Sequence, residues 1–200
     1  MNSIIIYLHG FNSGPGEKTE ELKKNFPELR IISPQLPVNP IDAINLIKSI
    51  IDENPKATYH IIGTSLGGFY AMYLSSVYGP EYEIIYYVIN PAFLPHISLK
   101  KYENKALKNY KTGIEYTIGE KELIASSVLY DTLMSNYNDN SNNSTEFFIS
   151  THDDVLNYTE LFSFLRSFKH GSRITHINDN HRVENFEPIL KTIKDYLRFF

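Results

Sequence analysis

The chain has 200 residues, with 19 basic and 23 acidic side chains for a formal charge of −4, and it carries no basic block of the kind a nucleic acid would need. It contains no cysteine, which removes disulfides, thiolate nucleophiles, iron–sulfur clusters and cysteine-ligated zinc. Its opening residues lack the basic start and long apolar run of a secretion signal, and no stretch reaches the roughly 20 apolar residues of a membrane span. A cytoplasmic protein of one domain, residues 1–200, is expected.

In chain order, short runs rich in Ile, Val and Tyr predict six strands: Ser3–Leu8, Arg30–Ser33, Thr58–Gly63, Glu83–Ile89, Glu146–Ser150 and Arg173–Ile177. They are nearly continuous in apolar content, as in strands covered on both faces. Between them, helical periodicity is predicted over "EKTEELKKNF", "IDAINLIKSIIDEN", "VLNYTELFSFLRSF" and the closing "FEPILKTIKDYLRFF". Alternation at this spacing calls for right-handed crossovers and an α/β fold, with a doubly wound, mainly parallel six-stranded sheet and helices on both faces. Residues 90–137 interrupt the alternation with two helix-like pieces, "LKKYENKALKNY" and "EKELIASSVLYDTLM", read as a partial lid. "NYNDNSNNST" is read as a mobile surface loop.

"GTSLG", Gly63 to Gly67, matches G-x-S-x-G between a predicted strand and a predicted helix. This is the arrangement of a nucleophile elbow, in which a serine stands exposed on a tight turn. Gly63 and Gly67 are then the places where a Cβ would strike the neighbouring backbone. The bland alternative is a structural turn.

A serine hydroxyl needs a base. Of the seven histidines, His9 falls in the N-terminal turn, His60 and His176 within strands, and His96, His152 and His170 before the last strand's exit. His181 follows that strand and is the expected base. After the strand ending at Ser150, Asp153 is expected to orient His181, with Asp154 capping the next helix. Backbone N–H groups of Leu66, next to the serine, and Phe11, in "LHGFNSGPG", are expected to form an oxyanion hole. That glycine-rich stretch lacks the spacing of a phosphate loop. No metal-ligand spacing occurs among His9, His152, Asp153 and His181, and no metal or cofactor is expected. Phe93 and Leu94, in the lid segment, are read either as contacts to an apolar acyl group or as core.

Taken together, "YLHGFNSGP", "GTSLGGFYA", "NPAFLP", "NYKTGIEYTI", "THDDVLNY" and "NDNHRVENFE" resemble the YqiA-type small α/β-hydrolase esterases over nearly the whole chain. The resemblance implies a compact α/β-hydrolase fold with at most a small helical lid. It implies hydrolysis of acyl esters or thioesters by Ser65, Asp153 and His181. A monomer or small homo-oligomer is expected. Two departures stand out: His152 in place of a glycine before the acid, and a longer polar stretch over Asn138–Thr145. The rivals are a catalytically silent binding protein on this fold, and an acyltransferase or peptidase with the same three residues.

Overall fold

The computed structural model describes residues 3–79, 81–169 and 171–198; His170 and the last two residues of the closing helical segment lie outside the described residues. Six strands, β1 (Ser3–Leu8), β2 (Arg30–Ile32), β3 (Thr58–Thr64), β4 (Ile84–Ile89), β7 (Thr145–Ser150) and β8 (Arg173–Ile177), form one parallel sheet in the order β2-β1-β3-β4-β7-β8. All six are the predicted strands, with ends moved by a residue at most.

Alternate residues of each strand feed two separate cores, which explains the lack of polar alternation. Ile4, Ile6 and Leu8 join α2 (Pro40–Asp52) and α3 (Leu66–Val77) on one face. Ile5 and Tyr7 join Leu22 and Phe26 of the α1 region (Glu17–Asn25) and Ile189, Leu190 and Ile193 of α8 (Glu187–Arg198) on the other. α3 is buried over Leu66–Ser75 because it lies between the sheet and α5 (Glu120–Asn136), and its apolar character all round matches that position.

Three stretches differ from expectation. Leu99–Tyr110 is not a helix. After the short helix α4 (Pro95–Ser98) comes one 3₁₀ turn, Lys100–Tyr102, then an antiparallel hairpin of β5 (Leu107–Lys108) and β6 (Glu115–Tyr116). Turn chemistry overrides the apolar spacing: Asn104 adopts φ 57°, Asn109 Oδ1 accepts from the N–H groups of Lys111 and Thr112, and Gly113 adopts φ 71°. In the Asn-rich stretch, Asn138 Oδ1 caps a short helix, α6 (Asp139–Asn143), by accepting from Asn140 and Ser141. Finally, α7 spans only Thr159–Leu165 because the residues before it are drawn into a loop around Asp153.

Candidate active site

The sheet's carboxyl edge gathers the residues singled out above. Ser65 sits between β3 and α3 with φ 55° and ψ −115°, a left-handed conformation that costs a non-glycine residue about 1–3 kcal/mol. Surrounding bonds hold it there: its N–H donates to Ile89 O at 2.9 Å, and its carbonyl accepts from Phe69 N and Ala92 N at 3.1 and 3.0 Å. A Cβ on Gly63 would stand 2.1 Å from Gly67 O, and one on Gly67 would stand 2.1 Å from Leu8 O. Both glycines are therefore required by the close passage of strand, turn and helix.

His181 lies in the loop between β8 and α8. Its Nε2 is 3.0 Å from Ser65 Oγ and its Nδ1 is 2.7 Å from Asp153 Oδ2. An ionised carboxylate only accepts, so Nδ1 carries the proton and Nε2 faces the hydroxyl bare. The same Oδ2 accepts from the Tyr158 hydroxyl, while Oδ1 accepts from Val155 N at 2.8 Å and Leu156 N at 3.0 Å. Burial alone would raise the Asp153 carboxyl, but the bonds from His181, Tyr158 and Val155 outweigh it and hold the group below the usual carboxylate range. Asp153 Oδ1 thus closes a loop ahead of α7; Asp154, expected to cap that helix, is exposed and five residues short of its start at Thr159. The hydrogen-bond role of Tyr158 was not foreseen. Its signal is weak, a tyrosine five residues past an aspartate.

The other histidines among the described residues are occupied elsewhere. His152 is exposed and its ring meets Thr151 Oγ1, so it does not crowd Asp153. His60 is buried against the Tyr87 hydroxyl, and burial pushes its pKa down to about 4. His176 packs on Phe162, and His96 packs on Tyr130. His9 is buried; Leu36 N–H donates to its Nε2 at 3.0 Å, which leaves Nδ1 to donate to Gly10 O at 2.8 Å. Because the Gly10–Phe11 peptide is trans, that bond fixes the Phe11 N–H on the side facing away from the carbonyl. Gly10 itself presses on the serine: a Cβ there would lie 3.2 Å from Ser65 Cβ. Leu66 opens α3, so its N–H is among the first-turn donors without an intrahelical acceptor.

A mainly apolar cavity of about 240 Å³ is lined by Phe11 and Leu66, by Leu36, Pro37 and Val38, and by Ile114 and Tyr116 of the hairpin. Phe93 and Leu94 do not line it. Phe93 is buried against Tyr130 and Phe164, and Leu94 is partly buried on the same core, so the structure favours the core alternative for both. Within residues 90–137, α5 packs on α2, α3 and α4, and the hairpin stretch is the part that reaches the cavity. No group of three or more His, Cys, Asp or Glu side chains that could hold a metal ion occurs among the described residues. Among them, too, no helix is long and apolar enough to cross a membrane.

A parallel sheet in this order, with the elbow after its third strand, defines an α/β-hydrolase fold. Solved structures of that fold superpose over almost the whole chain. Est1E from Butyrivibrio proteoclasticus matches with a TM-score of 0.69 at 14% identity, covering 97% of this chain and 86% of its own. The monoacylglycerol lipase of Paleococcus ferrophilus gives 0.72 at 12%, covering 97% and 93%. Mouse alpha/beta hydrolase domain-containing protein 10 gives 0.69 at 14%, covering 98% and 89%. The chain belongs to the uncharacterised protein family UPF0227, the YqiA family, whose model matches residues 4–198.

Proposed function

We propose that this protein is a serine hydrolase of carboxylic esters or thioesters. The observation that carries this is the position of His181, within hydrogen-bond reach of Ser65 Oγ through one nitrogen and of Asp153 through the other. Ser65 Oγ attacks the acyl carbonyl as His181 Nε2 takes its proton, and Asp153 holds the ring in the required tautomer and stabilises the imidazolium. The Phe11 and Leu66 amides receive the developing oxyanion, where loss of one donor typically costs about 10²–10³ in rate. His181 then gives its proton to the departing alcohol or thiol. Water attacks the acyl-enzyme with His181 again acting as base, and the acid leaves as Ser65 regains its proton.

The apolar cavity beside those amides suits an uncharged acyl chain, because Leu36, Pro37, Val38 and Ile114 offer surface without a charge to pair. The names of fold neighbours, an esterase and a monoacylglycerol lipase among those above, agree with ester hydrolysis. The test is a panel of p-nitrophenyl esters of graded chain length, run on the wild type and on Ser65→Ala. Turnover is expected in the wild type, with kcat lower by about 10⁶-fold in the variant. A wild-type enzyme silent on the whole panel, or a variant of equal activity, contradicts the assignment.

A further inference from the structure

β4 leaves the sheet through Ile89, Asn90, Pro91 and Ala92, and this turn touches every limb of the candidate site. Ile89 O and Ala92 N hold the backbone of Ser65 at 2.9 and 3.0 Å. The Asn90 side chain reaches the other two limbs. Its Oδ1 accepts from Ser150 N at 2.8 Å, at the end of the strand that leads to Asp153. Its Nδ2 donates to Ser150 Oγ at 2.8 Å and lies 3.3 and 3.2 Å from the carbonyls of Asn180 and of His181 itself. Asn90 is fully buried and adopts φ 44°, a region that asparagine enters more readily than most residues.

The chemistry is selective for a carboxamide. An apolar residue would strand the buried Ser150 N–H and remove a donor from the carbonyls of Asn180 and His181, and an aspartate would set carboxylate oxygen against carbonyl oxygen. The Asp179 carboxylate closes the histidine loop on itself by accepting from Asn180, Glu184 and Asn185 N–H groups. Outside the loop, His152 N donates to Asp179 O at 3.1 Å, and the Asn90 amide supplies the tie to β4.

We propose that Asn90 is a positioning residue: its carboxamide sets the His181 loop against the strand end that carries Asp153, while the adjoining backbone fixes Ser65. It touches no reacting atom. This rests on the ester-hydrolase function proposed above.

The test compares full-length wild type, Asn90→Ala and Ser150→Ala. It measures kcat and KM on a p-nitrophenyl ester, the thermal midpoint, and the far-downfield proton resonance of the His181–Asp153 hydrogen bond. For Asn90→Ala, kcat should fall about 100-fold with KM within about threefold, since small misplacements of reacting groups carry such costs. The downfield resonance should broaden or vanish. Ser150→Ala removes one acceptor of the amide and should lower kcat by about three- to tenfold. Ile193→Ala, in the core on the far face, should lower the midpoint while kcat per folded molecule stays unchanged, which separates positioning from general destabilisation. A folded Asn90→Ala enzyme with wild-type kcat and an intact resonance overturns the proposal. If Asn90→Ala does not fold, an unaltered kcat and resonance in Ser150→Ala overturns it. A wild type that hydrolyses no ester refutes the function instead, and the resonance then still decides the role of Asn90.

Discussion

Asp153 holds His181 with one carboxylate oxygen and closes its own loop with the other. Oδ2 is 2.7 Å from His181 Nδ1, and Oδ1 gathers the N–H groups of Val155 and Leu156. One side chain therefore shapes the loop and sets the tautomer of His181. Asp153→Asn keeps the shape but offers an amide that favours the wrong tautomer. Its kcat should fall about 10⁴-fold with KM little changed, as measured by steady-state ester hydrolysis. A fall of less than about tenfold would remove Asp153 from the mechanism.

Tyr158→Phe should act more mildly. It deletes a hydroxyl that donates to the Asp153 carboxylate and helps hold its pKa below the usual range. The carboxyl pKa should rise, as read by carbon NMR titration of the Asp153 carboxylate in wild type and variant. An unmoved titration would show that the phenol contributes nothing to the charge of Asp153.

The cavity makes a size prediction. Ile114 lines it from the hairpin and is 64% exposed, so a larger side chain is accommodated without disturbing the core. Ile114→Trp should narrow the space beside Phe11 and Leu66 and move the preferred ester toward shorter acyl chains, with kcat/KM for the longest tolerated chain falling about tenfold or more. An unchanged chain-length profile would place the acyl group elsewhere.

His60 predicts a pH effect on stability. Burial lowers its pKa from 6.5 to about 4, so the folded state favours the neutral ring. Between those values the unfolded chain binds the proton more tightly. Stability is then complete above about pH 6.5 and declines as pH falls toward 4, by an amount of order 2–3 kcal/mol. His60→Leu should flatten that stretch of the stability-versus-pH curve in urea titrations. An equal slope in wild type and variant would deny His60 its role.

Much of this architecture is legible in the sequence. Strands buried on both faces leave unbroken apolar runs, and the demand for two glycines around Ser65 is a local steric fact. The order of Ser65, Asp153 and His181 along the chain, each after a strand, followed from the topology. What stayed hidden depends on contacts between distant segments. Leu99–Tyr110 reads as a helix by apolar spacing, and the turn at Asn104, the side-chain bonds of Asn109 and the turn at Gly113 redirect the chain into a hairpin. The cavity is assembled from four separate stretches that reveal nothing of each other in sequence. For Phe93 the sequence leaves substrate contact and core packing equally open because its core partners, Tyr130 and Phe164, are far along the chain. Asn90 likewise gives no local hint, since its partners lie 60 to 91 residues further on.

The most direct measurement is the intact and peptide mass of the wild-type protein after exposure to a fluorophosphonate, with His181→Gln treated in parallel. A single adduct on the peptide carrying Ser65 is predicted for the wild type, with labelling of the variant slowed by several orders of magnitude, since the serine is inert without its base. No adduct on Ser65, or equally fast labelling without the imidazole, would contradict the account.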